Sequence, residues 1–277
     1  MAEITKIHLV YFSPSGSTEK VVRKIASVIT ESKNLPVETH NLLTPASRQR
    51  KYDFGENDLV ILGWMTAGML FGNTDEMFAC LNANNTPLIG LITYGNGYYG
   101  VALTEMKRKS ESRGFIVTSL AAFVSRHSIA PTFGEGRPDS HDELIIADFA
   151  KRSFEKILSG DYVMHNLPKT HWSSSEQANK IIAYRETNIE PYHIPPSYKT
   201  KEISDACVKC GTCVRNCPVD AIDIENKTFD LERCIGCWGC VNRCPKHAVI
   251  NTSKDMSEIM KTFSSAFEKR LEPEIFM

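Results

Sequence analysis

Eight cysteines towards the end of this sequence fall into two copies of one spacing pattern. Within each copy the four cysteines are separated by two, two and three residues, and a proline follows the fourth. The first copy is Cys207, Cys210, Cys213 and Cys217, and the second is Cys234, Cys237, Cys240 and Cys244. Every cysteine of the second copy lies 27 residues after its counterpart. Three close thiolates on a tight loop, with a fourth from elsewhere in the chain, can hold the corners of a 4Fe–4S cubane.

The pattern also predicts which cysteines share a cluster. In this type of motif the fourth cysteine of each copy binds the cluster of the other copy. One cluster is therefore expected on Cys207, Cys210, Cys213 and Cys244. The second is expected on Cys234, Cys237, Cys240 and Cys217. This crossing ties the two halves together and keeps the clusters close enough for electron transfer between them.

Clustered cysteines have two other interpretations. A disulfide framework is typical of short secreted chains, whereas these cysteines lie within 38 residues of a long chain whose first residues show no secretory signal. Zinc is the second alternative, because two CxxC pairs can build a tetrahedral thiolate site. Zinc needs neither the third cysteine nor the Cys-Pro pair, so iron–sulfur chemistry is favoured. The ninth cysteine, Cys80, is expected to be a small buried hydrophobe.

Bulk composition excludes some classes of function. The chain has 277 residues and a formal net charge of -1, so no overall field favours nucleic acid or a membrane surface. The longest uncharged stretch, residues 77–104, is interrupted by asparagines, a proline and glycines, and does not have the pattern of a membrane span.

Residues 1–160 alternate between strand and helix patterns. These elements must position the group that exchanges electrons with the clusters. Apolar runs predict five strands at residues 7–12, 36–42, 59–62, 88–92 and 115–123. Helical spacing predicts helices after the first strand, from Val21 to Ile29, and at residues 74–82, 99–113 and 140–158. Strands that alternate with helices indicate a parallel sheet covered on both faces.

The turn after the first strand is rich in hydroxyl groups. Ser13, Ser15, Gly16, Ser17 and Thr18 lie where a helix begins, and the free amides and dipole of a helix N-terminus favour a phosphate. The loop matches neither GxGxxG nor GxxxxGK[ST], which argues against a dinucleotide and against a nucleoside triphosphate. Hydroxyl donors without a lysine or arginine suit a monophosphate. The alternative is a capping Ser/Thr cluster with no ligand.

Two further loops follow predicted strands at the same sheet end. Residues 63–68 follow the third strand and residues 93–99 follow the fourth, and both combine glycines with aromatic side chains. In doubly wound sheets ligands bind at the carboxyl ends of the strands, at the point where the strand order reverses. Three such loops, in one chain with iron–sulfur motifs, predict a flavin site.

These residues carry a family resemblance. Residues 11–18 resemble the phosphate loop of flavodoxins, with the pattern Ser/Thr-x-Ser/Thr-Gly-x-Thr, and residues 93–99 resemble their second isoalloxazine loop. The cysteine motifs are those of bacterial two-cluster ferredoxins. The whole chain resembles flavodoxin–ferredoxin fusion proteins of anaerobic prokaryotes, over residues 5–160 and 200–252. The resemblance implies a flavodoxin-like α/β fold with a five-stranded parallel sheet of order 2-1-3-4-5, followed by an α+β two-cluster ferredoxin domain.

The resemblance further implies noncovalent FMN. Its phosphate would be held by Ser13, Ser15, Gly16, Ser17 and Thr18. One side of its ring would be lined by Thr66, Ala67 and Gly68, and the other by Thr93, Tyr94, Gly95 and Asn96. Trp64 and Met65 depart from the family pattern, which leaves the stacking partner of the ring open. The expected domains are residues 1–160 for FMN, a packed linker at 161–202, the ferredoxin domain at 203–252 and a helical tail at 253–277.

Three other side chains and one apolar stripe have more than one interpretation. His127 is a candidate for setting charge near the flavin or transferring a proton, and a hydrogen-bonded structural histidine is the favoured alternative. Arg137 is expected to anchor its loop through Asp139 or Asp142, with docking of the ferredoxin domain as the alternative. Trp238, between two cluster ligands, could shield a cluster, dock a partner or simply pack. In the tail, Ile259, Phe263, Phe267 and Leu271 form an apolar stripe that is expected to pack on this chain or on a second copy.

The main functional prediction is an intracellular electron-transfer protein that couples two-electron and one-electron carriers through FMN and two 4Fe–4S clusters. No catalytic residue is required for that role. The alternatives are a flavin-dependent reductase of a small molecule, with Tyr98, Tyr99 or His127 as proton donor, and a redox sensor. The expected partners are other redox proteins, such as a ferredoxin, a flavodoxin or an oxidoreductase, without nucleic acid or a membrane span. The expected location is an anaerobic cytoplasm.

Overall fold

The computed structural model describes residues 3–166, 194–262, 267 and 269–277. Its strands, in chain order, are β1 (Lys6–Phe12), β2 (Val37–Asn41), β3 (Tyr52–Phe54), β4 (Asp58–Met65), β5 (Leu81–Ala83), β6 (Thr86–Tyr94), β7 (Phe115–Val124), β8 (Lys201–Ile203), β9 (Ile222–Asp223), β10 (Thr228–Phe229), β11 (Val249–Asn251) and β12 (Glu274–Phe276). Its helices are α1 (Ser17–Ser32), α2 (Pro45–Arg48), α3 (Thr74–Ala79), α4 (Ala102–Glu111), α5 (Ser140–Leu158), α6 (Thr212–Arg215), α7 (Gly239–Asn242) and α8 (Lys254–Thr262). A 3-10 turn precedes β8 at Pro196–Lys199. None of these helices is both long and apolar enough to cross a membrane.

A twisted sheet organises the N-terminal domain, by which we mean residues 3–166 together with β12. Its strand order is β2-β1-β4-β6-β7-β12, and the first five strands run parallel. Once β3 and β5 are set aside, because they pair only with each other, the parallel part has the order 2-1-3-4-5 of the flavodoxin-like doubly wound fold. The predicted fold class is therefore confirmed.

Two apolar layers explain why the central strands lack polar alternation. Helices α1 and α5 cover one face of the sheet, and Val22, Ile25 and Phe149 are fully buried there. Side chains of α3 and α4 pack on the other face, where Phe78 and Met106 lie against the strands. A strand covered on both faces has no solvated side, and all nine residues of β6 are accordingly buried.

The sheet has one strand more than the five parallel strands predicted. The tail at 253–277 is expected to be helical and contains α8, while β12 adds an antiparallel edge strand beside β7. Glu274 pairs with Ala122 and Phe276 with Leu120. The addition has a physical reason, since β7 would otherwise expose a row of unpaired backbone groups. Phe263 of the predicted apolar stripe, and residues 167–193 of the predicted linker, lie outside the described residues.

The C-terminal module, residues 201–251, repeats its backbone at the spacing of the cysteine motifs. Helices α6 and α7 occupy equivalent places, and each begins after a residue with left-handed φ, Gly211 at 73° and Trp238 at 59°. Each half also contributes one strand to each of two small antiparallel pairs, β9 with β10 and β8 with β11. The internal repeat of the sequence thus corresponds to an internal repeat of the fold.

Candidate cofactor sites

The first cysteine of each motif accepts a backbone hydrogen bond from a tight turn. Lys209 N donates to Cys207 Sγ, and Gly236 N donates to Cys234 Sγ, both at 3.4 Å. Lys209 and Gly236 both have left-handed φ, at 51° and 68°. The turn therefore points an amide at sulfur in both halves, and a thiolate bound to iron is stabilised by such N–H donors.

The last cysteine of each motif is held in the same manner. Ala221 N donates to Cys217 Sγ at 3.3 Å, and Ala248 N donates to Cys244 Sγ at 3.2 Å. Both alanines come four residues after their cysteine, just before β9 and β11. The short strands therefore fix the two thiols that the crossed assignment gives to the opposite cluster.

One cavity contains the four cysteines that the crossed assignment gives to the second cluster. Cys217, Cys234, Cys237 and Cys240 line one cavity, which is otherwise apolar apart from Lys201 and Asn216. We call these four the inner set, and Cys207, Cys210, Cys213 and Cys244 the outer set. Burial raises the pKa of the Cys213 thiol, and charge on Cys207 and Cys244 raises it further.

Burial also disfavours the charged form of Cys237 in the inner set. It raises the pKa of the Cys237 thiol, and charge on Cys240, Cys234 and Cys217 adds to the rise. Thiolates are costly in such an environment unless a positive charge compensates them. Iron would provide that charge, so the donor set fits a metal cluster.

Sulfur spacing distinguishes a cluster from one zinc ion. A single tetrahedral zinc with Zn–S bonds of 2.3 Å holds its thiolates roughly 3.8 Å apart. Within the part of the chain that the structure describes, one group of three side chains has ligand atoms within 4.8 Å of one another, and it consists of His8, Glu38 and His40. The described cysteines form no such group, so a single zinc ion would need them to move closer together.

The two sets differ in their relation to the N-terminal domain. Cys237 of the inner set is buried and belongs to the core that contains Phe12 and Trp64. Cys210 of the outer set is exposed, and its neighbour Val208 is 59% exposed. Cys237 of the inner set thus faces the sheet, whereas Cys210 of the outer set faces solvent.

The hydroxyl-rich loop lies at the carboxyl end of β1 as predicted. Gly16 is the N-cap of α1, with φ at 93°, and has no side chain of its own to cap the helix. Ser13 Oγ accepts from Glu19 N at 3.0 Å, and Lys20 N donates to Gly16 O at 3.2 Å. Among the described residues the structure gives no hydrogen-bond acceptor to the amides of Ser15, Ser17 and Thr18. These amides and the Ser15 and Ser17 hydroxyls suit a phosphate.

The structure brings the other two predicted loops to the same sheet end. Thr18 Oγ1 and Thr93 Oγ1 are 2.7 Å apart, and Thr66 N donates to Thr93 O at 3.1 Å. Ala67 N donates to Met69 O at 3.0 Å. Residues predicted from three separate segments therefore converge on one region beside the switch point between β1 and β4.

The ring side of the predicted flavin site is closed in this structure. The Tyr98 ring lies over Gly68, with Cε2 3.2 Å from where a Cβ on Gly68 would sit. Val101 N donates to Gly68 O at 2.9 Å. A flat ring would enter between these loops only if Tyr98 turned aside, which needs a side-chain rotation, whereas the phosphate end needs no change. The residues fit the phosphate as they stand and the ring after that rotation.

Two of the predicted ring residues already have other partners. Asn96 Nδ2 donates to Phe267 O at 2.9 Å and to Lys269 O at 3.0 Å, and Asn96 Oδ1 accepts from Leu271 N at 3.1 Å. Gly95 lies against His127, because a Cβ on Gly95 would be 2.2 Å from that ring. Contact of Asn96 with a flavin would compete with three bonds to the tail. Trp64 is no stacking partner either, since it is fully buried and donates to Phe71 O.

His127 has the surroundings of a structural histidine. Its Nδ1 accepts from Ile129 N and Ala130 N, both at 3.2 Å, and its ring contacts Phe133 and Phe267 edge-on. Burial lowers the pKa of His127 to about 4. A neutral acceptor of two backbone bonds is poorly suited to donate a proton. The Tyr99 hydroxyl also has a hydrogen-bond partner, because it donates to Glu274 Oε2 at 3.1 Å.

Arg137 anchors its loop through Asp142. Its Nη2 donates to Asp142 Oδ1 at 2.6 Å and to Leu271 O at 3.0 Å, while Asp139 Oδ2 lies 3.9 Å from Nε. Asp139 itself caps α5 and pairs with Arg270 of the tail. The anchoring interpretation fits these contacts, and the same residues hold the tail in place.

The C-terminal module packs directly on the phosphate loop. A Cβ on Gly239 would lie 3.0 Å from Pro14 O. Arg243 Nε donates to Pro14 O at 2.6 Å, and Arg243 Nη2 donates to Ser13 O at 2.8 Å. A second contact is made where Arg48 Nη2 donates to Pro218 O at 2.7 Å. The residues of each pair are separated by 170 to 230 positions in the chain, so no local sequence pattern predicts these contacts.

Trp238 lies at the centre of this interface. It is 1% exposed and packs in a cluster with Tyr98 and Phe267. Lys201 Nζ lies 4.4 Å from its ring centroid and 3.4 Å from Cys234 Sγ. Trp238 Nε1 is buried and has no hydrogen-bond partner among the described residues. An acceptor on a bound cofactor would satisfy this orphaned donor.

A family model identifies the C-terminal module. Residues 206–248 match the model of the 4Fe-4S dicluster domain, and the match spans all eight motif cysteines. The predicted 4Fe–4S chemistry is therefore confirmed, and the chain is an iron–sulfur protein with an electron-transfer domain. No curated protein sequence matches the chain.

Similar solved structures include two flavodoxins. A flavodoxin from the domain Archaea is 18% identical, and the match covers 56% of this chain and 99% of that one, with a TM-score of 0.40. Oxidised Flavodoxin 2 from Bacillus cereus is also 18% identical, with 55% and 99% covered and a TM-score of 0.39. Scores this low carry no argument of their own, and the flavodoxin-like fold rests on the strand order described above.

Proposed function

We propose that this protein relays electrons between FMN, bound by the N-terminal domain, and two 4Fe–4S clusters in the C-terminal module. One observation carries the proposal. The module covers the phosphate-loop end of the sheet, with Gly239 against Pro14 and Trp238 against the Tyr98 cluster. A carrier needs its cofactor sites packed together, whereas a reductase needs an open pocket beside the flavin.

The residues that would hold each group are those predicted from the sequence. The inner and outer sets would each bind one cluster. FMN phosphate would lie on the amides and hydroxyls of residues 13–18, and its ring between the loops after β4 and β6. Bound FMN exchanges one or two electrons and each cluster exchanges one. The groups together would therefore couple two-electron transfer to one-electron transfer.

From the positions of the inner and outer sets we also propose the path that electrons take between the flavin and a partner. The inner set lies towards the flavin loops, and the outer set presents the exposed Cys210 to solvent. A redox-protein partner, such as a ferredoxin, a flavodoxin or an oxidoreductase, would therefore dock beside the outer set. We propose the domain bounds 1–160, 161–202, 203–252 and 253–277, and an anaerobic cytoplasmic setting, because exposed clusters are damaged by oxygen.

The test is a visible spectrum of anaerobically purified protein before and after addition of NADH, NADPH or a reduced two-cluster ferredoxin. We expect bleaching of both flavin and cluster bands with the reduced ferredoxin and an unchanged spectrum with the nicotinamides. Rapid bleaching by NADH or NADPH would instead support a flavin-dependent reductase. A preparation without flavin absorbance, even after incubation with FMN, would overturn the relay.

A further inference from the structure

Arg243 crosses from the C-terminal module into the phosphate loop. Its guanidinium donates to Pro14 O at 2.6 Å and to Ser13 O at 2.8 Å. The same group lies above the turn itself, because Nη2 would be 3.5 Å from a Cβ on Gly16. A permanent positive charge is therefore held on the loop whose own sequence contains no lysine or arginine.

The local charges leave room for an anion at this position. The nearest carboxylate is on Glu19, whose Oε2 lies 3.7 Å from Arg243 Nη2. Glu19 is shared with Arg23, which binds its other oxygen, Oε1, at 2.9 Å. Arg243 and Arg23 together carry two positive charges and Glu19 carries one negative charge. A net charge of +1 therefore remains beside the loop. A dianionic phosphate on the free amides of Ser15, Ser17 and Thr18, at the start of α1, would be attracted by that excess charge.

Arg243 is also part of the cluster-binding segment. It follows α7 and lies between Cys240 of the inner set and Cys244 of the outer set. Its backbone N donates to Gly239 O at 2.9 Å. Because the two flanking thiolates would bind different clusters, assembly of both clusters would fix the backbone on either side of Arg243.

We propose that Arg243 is a positioning residue that couples the two cofactor sites. Assembled clusters hold its guanidinium over the phosphate loop, and the guanidinium strengthens the binding of the FMN phosphate. The inference rests on the proposed FMN site. Coupling of this kind is reciprocal, so bound FMN also stabilises the docked C-terminal module.

The test compares two flavins that differ only in the phosphate. Dissociation constants of FMN and riboflavin are measured by flavin fluorescence with the cluster-loaded wild type and with Arg243→Gln. A charge-assisted hydrogen bond contributes roughly 1.5 to 3 kcal/mol, so we expect the variant to bind FMN about 10- to 150-fold more weakly. Riboflavin affinity is expected to stay within about two-fold, since riboflavin has no phosphate for the arginine to attract.

The matched control is Arg126→Gln at the same interface. Arg126 Nη2 donates to Asn242 Oδ1 at 2.9 Å, beside Arg243 but away from the loop, and this bond is exposed. Its loss should leave both flavin affinities unchanged. A second arm removes the clusters from the wild type with an iron chelator, and we expect FMN affinity to fall towards that of the variant.

Other results separate this inference from the proposed function. If Arg243→Gln binds FMN as tightly as the wild type, or weakens both flavins equally, Arg243 merely docks the module and the coupling is refuted. Unchanged FMN affinity after cluster removal refutes it as well. A cluster-loaded wild type that binds neither flavin overturns the FMN site itself. Iron content per chain, measured for every variant, shows whether the clusters survived the substitution.

Discussion

At the scale of the residue, His127 shows how its environment decides between a catalytic and a structural role. Sequence placed it near the flavin loops, where a histidine at ordinary pKa could move protons. Its Nδ1 is instead occupied by the Ile129 and Ala130 amides, and burial lowers its pKa to about 4. The neutral form of the ring is therefore part of the fold.

This environment predicts a pH dependence of stability. Because the pKa of His127 falls from 6.5 in the unfolded chain to about 4 in the folded one, the unfolded chain takes up the proton first. The stability from neutral His127 is complete above pH 6.5 and is lost as the pH falls towards 4. The ring keeps some access to solvent, so between pH 7.5 and 5.5 we expect a loss of about 1 kcal/mol, or roughly 2 to 4 °C in Tm.

Anaerobic calorimetry of wild type and His127→Asn at both pH values measures this loss. The asparagine oxygen can accept the same amide bonds but does not titrate, so the variant should be less sensitive to pH. Equal changes of Tm in the two proteins would mean that His127 is not the group responsible. Other histidines are present in both proteins and cancel in the comparison.

Single residues were predictable where the chemistry depends on spacing along the chain. The cysteine motifs needed only their intervals, and the Ser13 to Thr18 loop needed only its composition and its place before a helix. Asn96 is predicted to contact the flavin because it lies in a glycine-rich loop. Its amide is instead used by a segment that starts 171 residues later, which no local pattern reveals.

At the scale of the element, the tail is held by Asn96 rather than by apolar contact alone. Asn96 is 6% exposed, has φ at 65° and makes three side-chain bonds to residues 267–271. Asn96→Ala would lose these bonds and strain the left-handed backbone. We expect a cost of about 3 to 4 kcal/mol, and a Tm lower by roughly 6 to 16 °C.

Asn85→Ala is the matched control for that change. Asn85 also has left-handed φ, at 52°, but it is exposed, so its replacement isolates the backbone strain. We expect about 1 kcal/mol for the control, or roughly 2 to 4 °C. Thermal unfolding of both variants gives the comparison, and equal shifts would show that the bonds between Asn96 and the tail contribute nothing.

The helices and parallel strands were largely predictable, and the edge strand was not. Helix α5 was predicted at residues 140–158 and is found at Ser140–Leu158, because its apolar spacing and the capping Asp139 define both periodicity and start. Strand β12 has only three residues, and all three are half-buried. Its pairing with β7 depends on a free sheet edge, which belongs to the fold and not to the segment itself.

At the scale of the whole molecule, the interface between the domains decides what the cofactor sites can do together. Gly239 lets the C-terminal module approach Pro14, where an added Cβ would lie 3.0 Å from the carbonyl oxygen and 3.2 Å from the proline ring. Gly239→Val should therefore force the module away from the phosphate loop. We expect amide hydrogen exchange over residues 13–18 to rise several-fold, as protection by packing is lost.

Gly55→Val is the control, because a side chain at Gly55 would meet no atom nearer than 3.7 Å. Exchange at residues 13–18 should be the same in this variant and in the wild type. Exchange that stays slow in Gly239→Val, with full iron content, would mean that the interface adapts without opening. The arrangement of the two domains was the part least accessible from sequence, since it is built from single contacts between distant segments.

The antiparallel edge strand has a consequence for how the protein is made. Strand β12 joins the sheet beside β7, but it is translated about 150 residues later, which takes roughly 8 to 30 seconds on a ribosome. The β7 edge of the N-terminal sheet therefore stays unpaired until the whole iron–sulfur segment has left the exit tunnel. Cofactor insertion and closure of the sheet become late, linked events in biogenesis, and a nascent chain stalled before β12 would expose an adhesive edge.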